Sequence, residues 1–248
     1  MPDPAAATIN SLPGAWPRVL LPEIMDDPEL DPEQHRRALR GLARINLVSR
    51  SAEILWPAIR RSARDISTRP LRVVDLACGG GDVLRSLAAR AAACGLEIEW
   101  TGIDRSAVAL DYARQRCHGS CSPISWRRLD ICRDELSGEY DLAMNSLFMH
   151  HLTAEQAQRV FIAMAKLAEV VLINDLRRGR VAYAVAWCGT RLLSRSSVVH
   201  ADGPQSVRAA WRVEELESLA KASGLAAVQI TRVWPWRMLL MARRSPAR

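Results

Sequence analysis

Three consecutive glycines, Gly79-Gly80-Gly81, stand between the run Val73-Val74-Asp75-Leu76-Ala77-Cys78 and Asp82-Val83-Leu84. The β-branched run reads as a buried parallel strand. Glycines directly after such a strand let the backbone turn sharply and come close to a ligand at its carboxyl end. A dinucleotide fingerprint, G-x-G-x-x-G/A, needs a small residue three places after Gly81, where this sequence has Leu84. Asp75 would also repel a pyrophosphate, whereas it can receive a cationic amino group directly or through water. The spacing therefore points to a nucleoside. Asp104 closes a second apolar run, Ile98 to Asp104, 23 positions after Gly81. An acidic residue there is placed to accept hydrogen bonds from both ribose hydroxyls. His150, His151 and His200 are the groups that could take a proton near neutral pH.

Elements that would position these residues follow from periodicity and capping. Residues 1–30 are rich in Pro, Asp and Ala and read as an extended arm, with Trp16 and Leu20-Leu21 as anchors. Asp31-Pro32-Glu33-Gln34 combines an N-cap, a Pro at the first helical position and Gln three after the cap, so a helical cap over 31–68 begins there. Ser49 and Ser51 break it into two helices, and Pro57 is tolerated if it falls in a first turn. A crossover helix is predicted from Asp82 to Cys94, with Gly95 beyond its end. Ile124 to Leu129, Tyr140 to Asn145 and Val170 to Asn174 read as strands, and Thr153-Ala154-Glu155-Gln156 as a capping box. Val181 to Leu193 reads as a pocket-lining helix, too short to span a bilayer. The segment Ser197 to Arg208, holding His200, Asp202, Gly203-Pro204 and Arg208, reads as a polar active-site lid. A helix from Val213 to Ala222 and a hairpin around Trp234-Pro235-Trp236 close the chain.

Taken together, Asp75-Leu76-Ala77-Cys78-Gly79-Gly80-Gly81 resembles motif I of the class I S-adenosylmethionine-dependent methyltransferases, D-x-G-x-G-x-G, with Ala77 in place of the first glycine. Asp104-Arg105-Ser106 continuing to Ala109-Leu110 and Ala113 resembles the family's D-x-S-x-x-A-L-x-x-A. Asn145 to Leu152 resembles motif IV of relatives of the ubiquinone and menaquinone C-methyltransferases, and Ala43-Arg44-Ile45-Asn46 resembles the R-I-N segment of some small-molecule methyltransferases. The resemblance implies an α/β fold: a Rossmann-like doubly wound seven-stranded sheet with a C-terminal antiparallel hairpin and an N-terminal helical cap, residues 69–248 forming the cofactor domain. It implies S-adenosyl-L-methionine as cofactor, held by Asp75, Ala77, Cys78, Gly79, Gly81, Asp104 and Arg105, with Asp130 on the adenine amino group, Ile131 against the ring, and Asn145 and Asn46 facing the cofactor. No Pro-Gly-Gly turn precedes the fifth strand, a departure from the commonest family pattern.

Composition narrows the partners. Half of the 248 residues are apolar and the net charge is +7, but only Lys166 and Lys221 of the 34 basic residues are lysines and the arginines are scattered. With two Phe and three Tyr, nucleic acid is not an expected partner. Six Cys without a secretory signal suggest reduced thiols in a cytoplasm. Cys117, His118 and Cys121 have no second pair at metal-ligand spacing, so no metal is expected. The expected function is methyl transfer to a hydroxyl of a small aromatic or polyketide-like metabolite in a bacterial cell, by a monomer or homodimer without membrane insertion. A C-methyltransferase of a quinone precursor and a non-catalytic binding module of the same fold are the alternatives. For a phenolic acceptor, with a pKa of about 10, a neutral histidine would assist. His200 in the lid, with Arg208 steadying the forming phenolate, is the expected base, and His150 and His151 are the other candidates.

Overall fold

The computed structural model describes residues 16–66, 68–117 and 123–245. Its seven strands are β1 (Leu71–Leu76), β2 (Ile98–Asp104), β3 (Ile124–Arg128), β4 (Tyr140–Ser146), β5 (Ala168–Leu176), β6 (Leu225–Val233) and β7 (Arg237–Arg244). They form one sheet in the order β3-β2-β1-β4-β5-β7-β6. The first five are parallel, and β7 enters antiparallel between β5 and β6. The order reverses between β1 and β4, so the carboxyl ends of β2, β1 and β4 border the crevice where open α/β sheets bind ligands. This is the doubly wound sheet with an antiparallel end that the sequence led us to expect.

The helices are α1 (Pro32–Val48), α2 (Ser51–Asp65), α3 (Asp82–Ala93), α4 (Ala107–Cys117), α5 (Ala154–Leu167), α6 (Arg180–Leu193), α7 (Ser197–Ala209) and α8 (Val213–Ala222). Apolar stripes at helical spacing decide which face of the sheet each covers. On one face Phe161 and Met164 of α5 and Leu216 of α8 pack on Val74, Ala143 and Val171. On the other, Leu55 and Ile59 of α2 and Leu84 and Leu87 of α3 pack on Val73, Leu142 and Leu172. Strands covered on both faces carry apolar residues toward both, as Val73, Val74 and Leu76 of β1 do.

Local signals set the helix starts. Asp31 accepts the Gln34 N–H at 2.8 Å ahead of Pro32, and Thr153 and Gln156 exchange both bonds of a capping box. Arg50, in a left-handed conformation (φ 59°), makes the break between α1 and α2. Pro57 does not fall in a first turn; it lies inside α2, on its exposed side. The Leu20-Leu21 pair is exposed and does not anchor the arm. Arg18 does so instead: it donates to the carbonyls of Ala209, His150 and Leu152 and lies 3.5 Å over the Trp211 ring.

The largest correction concerns residues 197–208, which form helix α7 and no lid. Ser196 caps it, and Gly203 sits so close to α6 that a Cβ there would collide with Thr190. Some of the polar side chains that suggested a loop are turned toward the arm: Asp202 accepts the backbone N–H groups of Ile24 and Met25, and Ser206 donates to Glu23 at 2.6 Å.

Candidate active site

At the carboxyl end of β1 the chain turns through Ala77 (φ 59°), Gly79 (φ 53°) and Gly81 (φ 70°) into α3. The two glycines serve different ends. A Cβ on Gly79 would meet nothing within 4 Å, so its backbone faces open space, whereas one on Gly81 would stand 2.5 Å from the Trp126 ring. Gly81 therefore admits a protein side chain, and Gly79 is the position left free for a ligand. Asp104 at the end of β2 accepts the Gly79 N–H and the Ser106 N–H, both at 2.8 Å. These bonds fix its carboxylate beside the glycine turn.

Buried acceptors without partners accumulate here. Asp75 Oδ1 and Asn145 Oδ1 are buried and have no hydrogen-bond partner among the described residues, although Asn145 Nδ2 donates to Leu76 O. Burial, then the neighbouring carboxylates of Asp82 and Asp104, push the Asp75 carboxyl well above its ordinary range. Burial also raises Asp82 and Asp104, against the hydrogen bonds from Asn46 and from the Ser106 and Gly79 amides respectively. Orphaned acceptors and uncompensated carboxylates call for a donor with positive charge, so these residues fit the ammonium and ribose of the cofactor that the resemblance implies.

The other expected cofactor residues are spread around this cleft. Ala77 and Cys78 lie in the turn, Cys78 buried. Arg105 pairs with Asp26 at 2.9 Å. Asp130 accepts the Cys132 N–H in its own turn, and Ile131 is buried in the core. Asn46 donates to Asp82 at 3.0 Å. Both line a cleft of about 320 Å³ between α1 and α3, together with Arg44, Arg85, Ser86 and Tyr112. Asp75, Asp104, Asp130 and Asn145 do not line that cleft, so it is distinct from the crevice at the strand ends.

Beyond β4, a single helical turn, Met149–His151, carries both motif histidines. Parallel pairing sets Ser146 opposite Asn174, which brings the turn against the end of β5. His150 Nδ1 lies 2.7 Å from Asp175 Oδ1, both side chains almost wholly buried, and Asp175 Oδ2 accepts the His150 amide N–H. Burial raises the Asp175 carboxyl, but its interaction with His150 prevails and holds it below its usual range. His151 Nδ1 pairs with Asp26 at 2.9 Å, and its Nε2 lies 3.7 Å from Glu23. Burial would lower His151; the Asp26 hydrogen bond and the Glu23, Asp26 and Asp175 charges raise it to about 9. Glu23, His150 and His151 bring atoms able to bind a metal within 4.8 Å of one another. With His151 protonated, however, the cluster is an ion-pair network.

His200 and Arg208 do not join it. His200 Nε2 lies 2.8 Å from the Ser194 carbonyl; Arg208 is exposed, its carbonyl accepting the Val19 N–H. Neither has a hydrogen bond or ion pair to the histidine turn among the described residues. His35 of α1 is 8% exposed, and burial lowers its pKa against the Asp104 and Asp26 charges. His118 and Cys121 lie outside the described residues. Sequence reasoning passed over Glu23, Asp26 and Asp175. Asp175 follows Asn174 at a strand end and could have been noticed there, but nothing local pairs the arm acids with residues more than a hundred positions away.

Comparison with known proteins identifies the fold. Residues 73–170 match the family model of a methyltransferase domain. A stretch of 89 residues is 36% identical to the release factor glutamine methyltransferase of Mycobacterium tuberculosis, covering 34% of this chain and 28% of that protein. Human N-acetylserotonin methyltransferase, solved in complex with S-adenosylmethionine, superposes with a TM-score of 0.62 at 15% identity over 86% of this chain and 57% of its own. The S-adenosylmethionine-dependent methyltransferase SibL superposes with a TM-score of 0.61 at 19% identity, over 89% and 60%. The chain thus spans less than two thirds of these relatives, and the likeness to the solved structures is one of fold. That fold is the class I S-adenosylmethionine-dependent methyltransferase fold.

Proposed function

We propose that this protein moves a methyl group from S-adenosyl-L-methionine to a hydroxyl of a small aromatic or polyketide-like acceptor. The observation that carries the reading is the buried His150–Asp175 pair at 2.7 Å, one turn beyond the strand whose end bears Asn145. On this reading Asp75 and Asn145 receive the ammonium group, Asp104 the ribose, and Gly79 gives the backbone room; Asp130, Ile131 and Asn46 complete the cofactor side.

When bound, S-adenosylmethionine supplies a methyl already activated on a sulfonium, so the chain's task is to orient an acceptor oxygen about 3 Å away and to take up its proton. Asp175 accepts from Nδ1–H of His150, which fixes the tautomer and leaves Nε2 as the base. Nε2 of His150 would take the hydroxyl proton as the acceptor oxygen receives the methyl that the cofactor would supply. The imidazolium so formed is compensated by Asp175 and by Glu23, whose carboxylate stands 3.9 Å from Nε2. His151, already protonated between Glu23 and Asp26, is ill suited to be the base.

A screen of phenols, quinols and resorcinols for S-adenosylhomocysteine release, with the new methyl located by mass spectrometry and NMR, tests the reaction. General-base assistance is worth about a hundredfold or more, so His150→Ala should lower turnover by that order with S-adenosylmethionine affinity kept. His200→Ala should stay near wild type. A wild-type protein that binds no S-adenosylmethionine in calorimetry defeats the whole reading; a fully active His150→Ala defeats the base assignment alone.

A further inference from the structure

We infer that the outer face of α6 docks on an anionic membrane surface. A helix on a globular domain normally turns its apolar stripe inward, yet only Ala182 and Thr190 of the fourteen residues of α6 are buried. Val181, Val185, Cys188 and Leu192, at i, i+4, i+7 and i+11, face outward, and the three large ones are 54, 40 and 84% exposed. Trp187 flanks the stripe, 46% exposed. At the far end Arg44 donates to Leu193 O, which sets the exposed Leu47 and Val48 of α1 at the same end as Leu192.

Charge selects the partner. Residues 177–196 contain five arginines and neither Asp nor Glu. Arg178 is buried on Glu215, while Arg180, Arg191 and Arg195 are exposed beside the stripe. Arg191 lies 4.0 Å over the Trp187 ring, which leaves an amphipathic aromatic and a cation together on the rim. An apolar stripe edged by arginine and tryptophan is the composition of a helix lying in the plane of a lipid interface. No described helix is long and apolar enough to cross a membrane, so the contact is peripheral. A homodimer through the same face would set the arginines of two copies against each other without acidic counterparts. The inference is independent of the methyl-transfer reading, since it concerns a surface outside the crevice.

Co-sedimentation of the whole protein with vesicles of phosphatidylcholine, with and without phosphatidylglycerol, tests it. Wild type should bind the anionic vesicles, release them in high salt, and bind the neutral ones weakly. An arginine near an anionic surface is worth about fivefold in partitioning, so Arg180→Gln with Arg191→Gln should weaken binding about tenfold or more. Val185→Asp with Leu192→Asp should abolish it, with thermal unfolding as the folding control. If that variant does not fold, the arginine pair decides alone. No binding of wild type to anionic vesicles overturns the inference. So does sedimentation velocity showing a dimer that the aspartates split, with vesicle binding absent.

Discussion

Ala77 holds a left-handed backbone, φ 59°, at the first glycine position of the motif it resembles, the one of the three where this chain has no glycine. An L-residue with a Cβ loses roughly 1–2 kcal/mol there, and glycine returns roughly 0.5–1 kcal/mol of that through its freer unfolded chain. Ala77→Gly should therefore stabilise the protein by about 0.5–1 kcal/mol, read as a higher urea midpoint at constant slope; an unchanged or lower midpoint would show that the turn carries no strain. Asp75 presents the opposite trade. With its folded pKa raised, its contribution to stability is full below the ordinary carboxylate range and is lost as pH rises through the folded value. Asp75→Asn should accordingly raise Tm at pH 7.5, by about 2–4 °C for each 1 kcal/mol of relieved burial, while weakening S-adenosylmethionine binding in calorimetry. A variant that is both less stable and equally competent to bind would contradict the role given to this carboxylate.

Between elements, the arm before α1 does what the expected lid does not. It crosses α7 and the Met149–His151 turn, and it is fastened by Arg18, by the Ile24 and Met25 amides on Asp202, and by Asp26 between His151 and Arg105. His151 has a folded pKa raised to about 9. Its stabilising contribution is complete below about pH 6.5, the ordinary histidine value, and disappears as pH climbs through 9. Arm docking should loosen over that window. Trypsin cleavage after Arg18, compared between wild type and His151→Gln across pH 7 to 9.5, measures it: the wild-type rate should climb toward that of the variant. Parallel pH profiles for the two proteins would rule the switch out.

For the molecule as a whole, a far-reaching buried tie is Arg178 after β5, which is bidentate on Glu215 of α8 and also donates to the carbonyls of Ala210 and Trp16. One buried guanidinium thus joins the sheet, the α7–α8 junction and the arm. Removing one partner of a buried pair leaves an uncompensated charge, at a cost of about 3–5 kcal/mol. Glu215→Ala should lose about that much in denaturant unfolding and expose the arm to proteolysis. A loss below about 1 kcal/mol would mean that Arg178 is satisfied by carbonyls alone.

What the sequence determined by itself is what short-range chemistry encodes. Strand β2 ending in Asp104, the glycine turn after β1, the Asp31 and Thr153 caps and the span of α8 all depend on neighbours within a few residues, and each was legible. The class of fold followed from their order. Residues 197–208 were misread because Gly203, Pro204 and six polar side chains carry loop propensity, which packing of Gly203 on Thr190 and docking of Asp202 and Ser206 on the arm override. The outward face of α6 was equally hidden, since periodicity shows that a stripe exists but not which way it points. The histidine site was only half readable: His150 and His151 stand in a motif, but their partners Glu23, Asp26 and Asp175 arrive from the arm and from β5. Charges 25 to 128 positions apart in the chain attract one another only after the sheet order has set β4 beside β5 and Arg18 has drawn the arm across them. The tertiary structure alone decided which histidine meets the acids of the arm and which is held by a buried carboxylate.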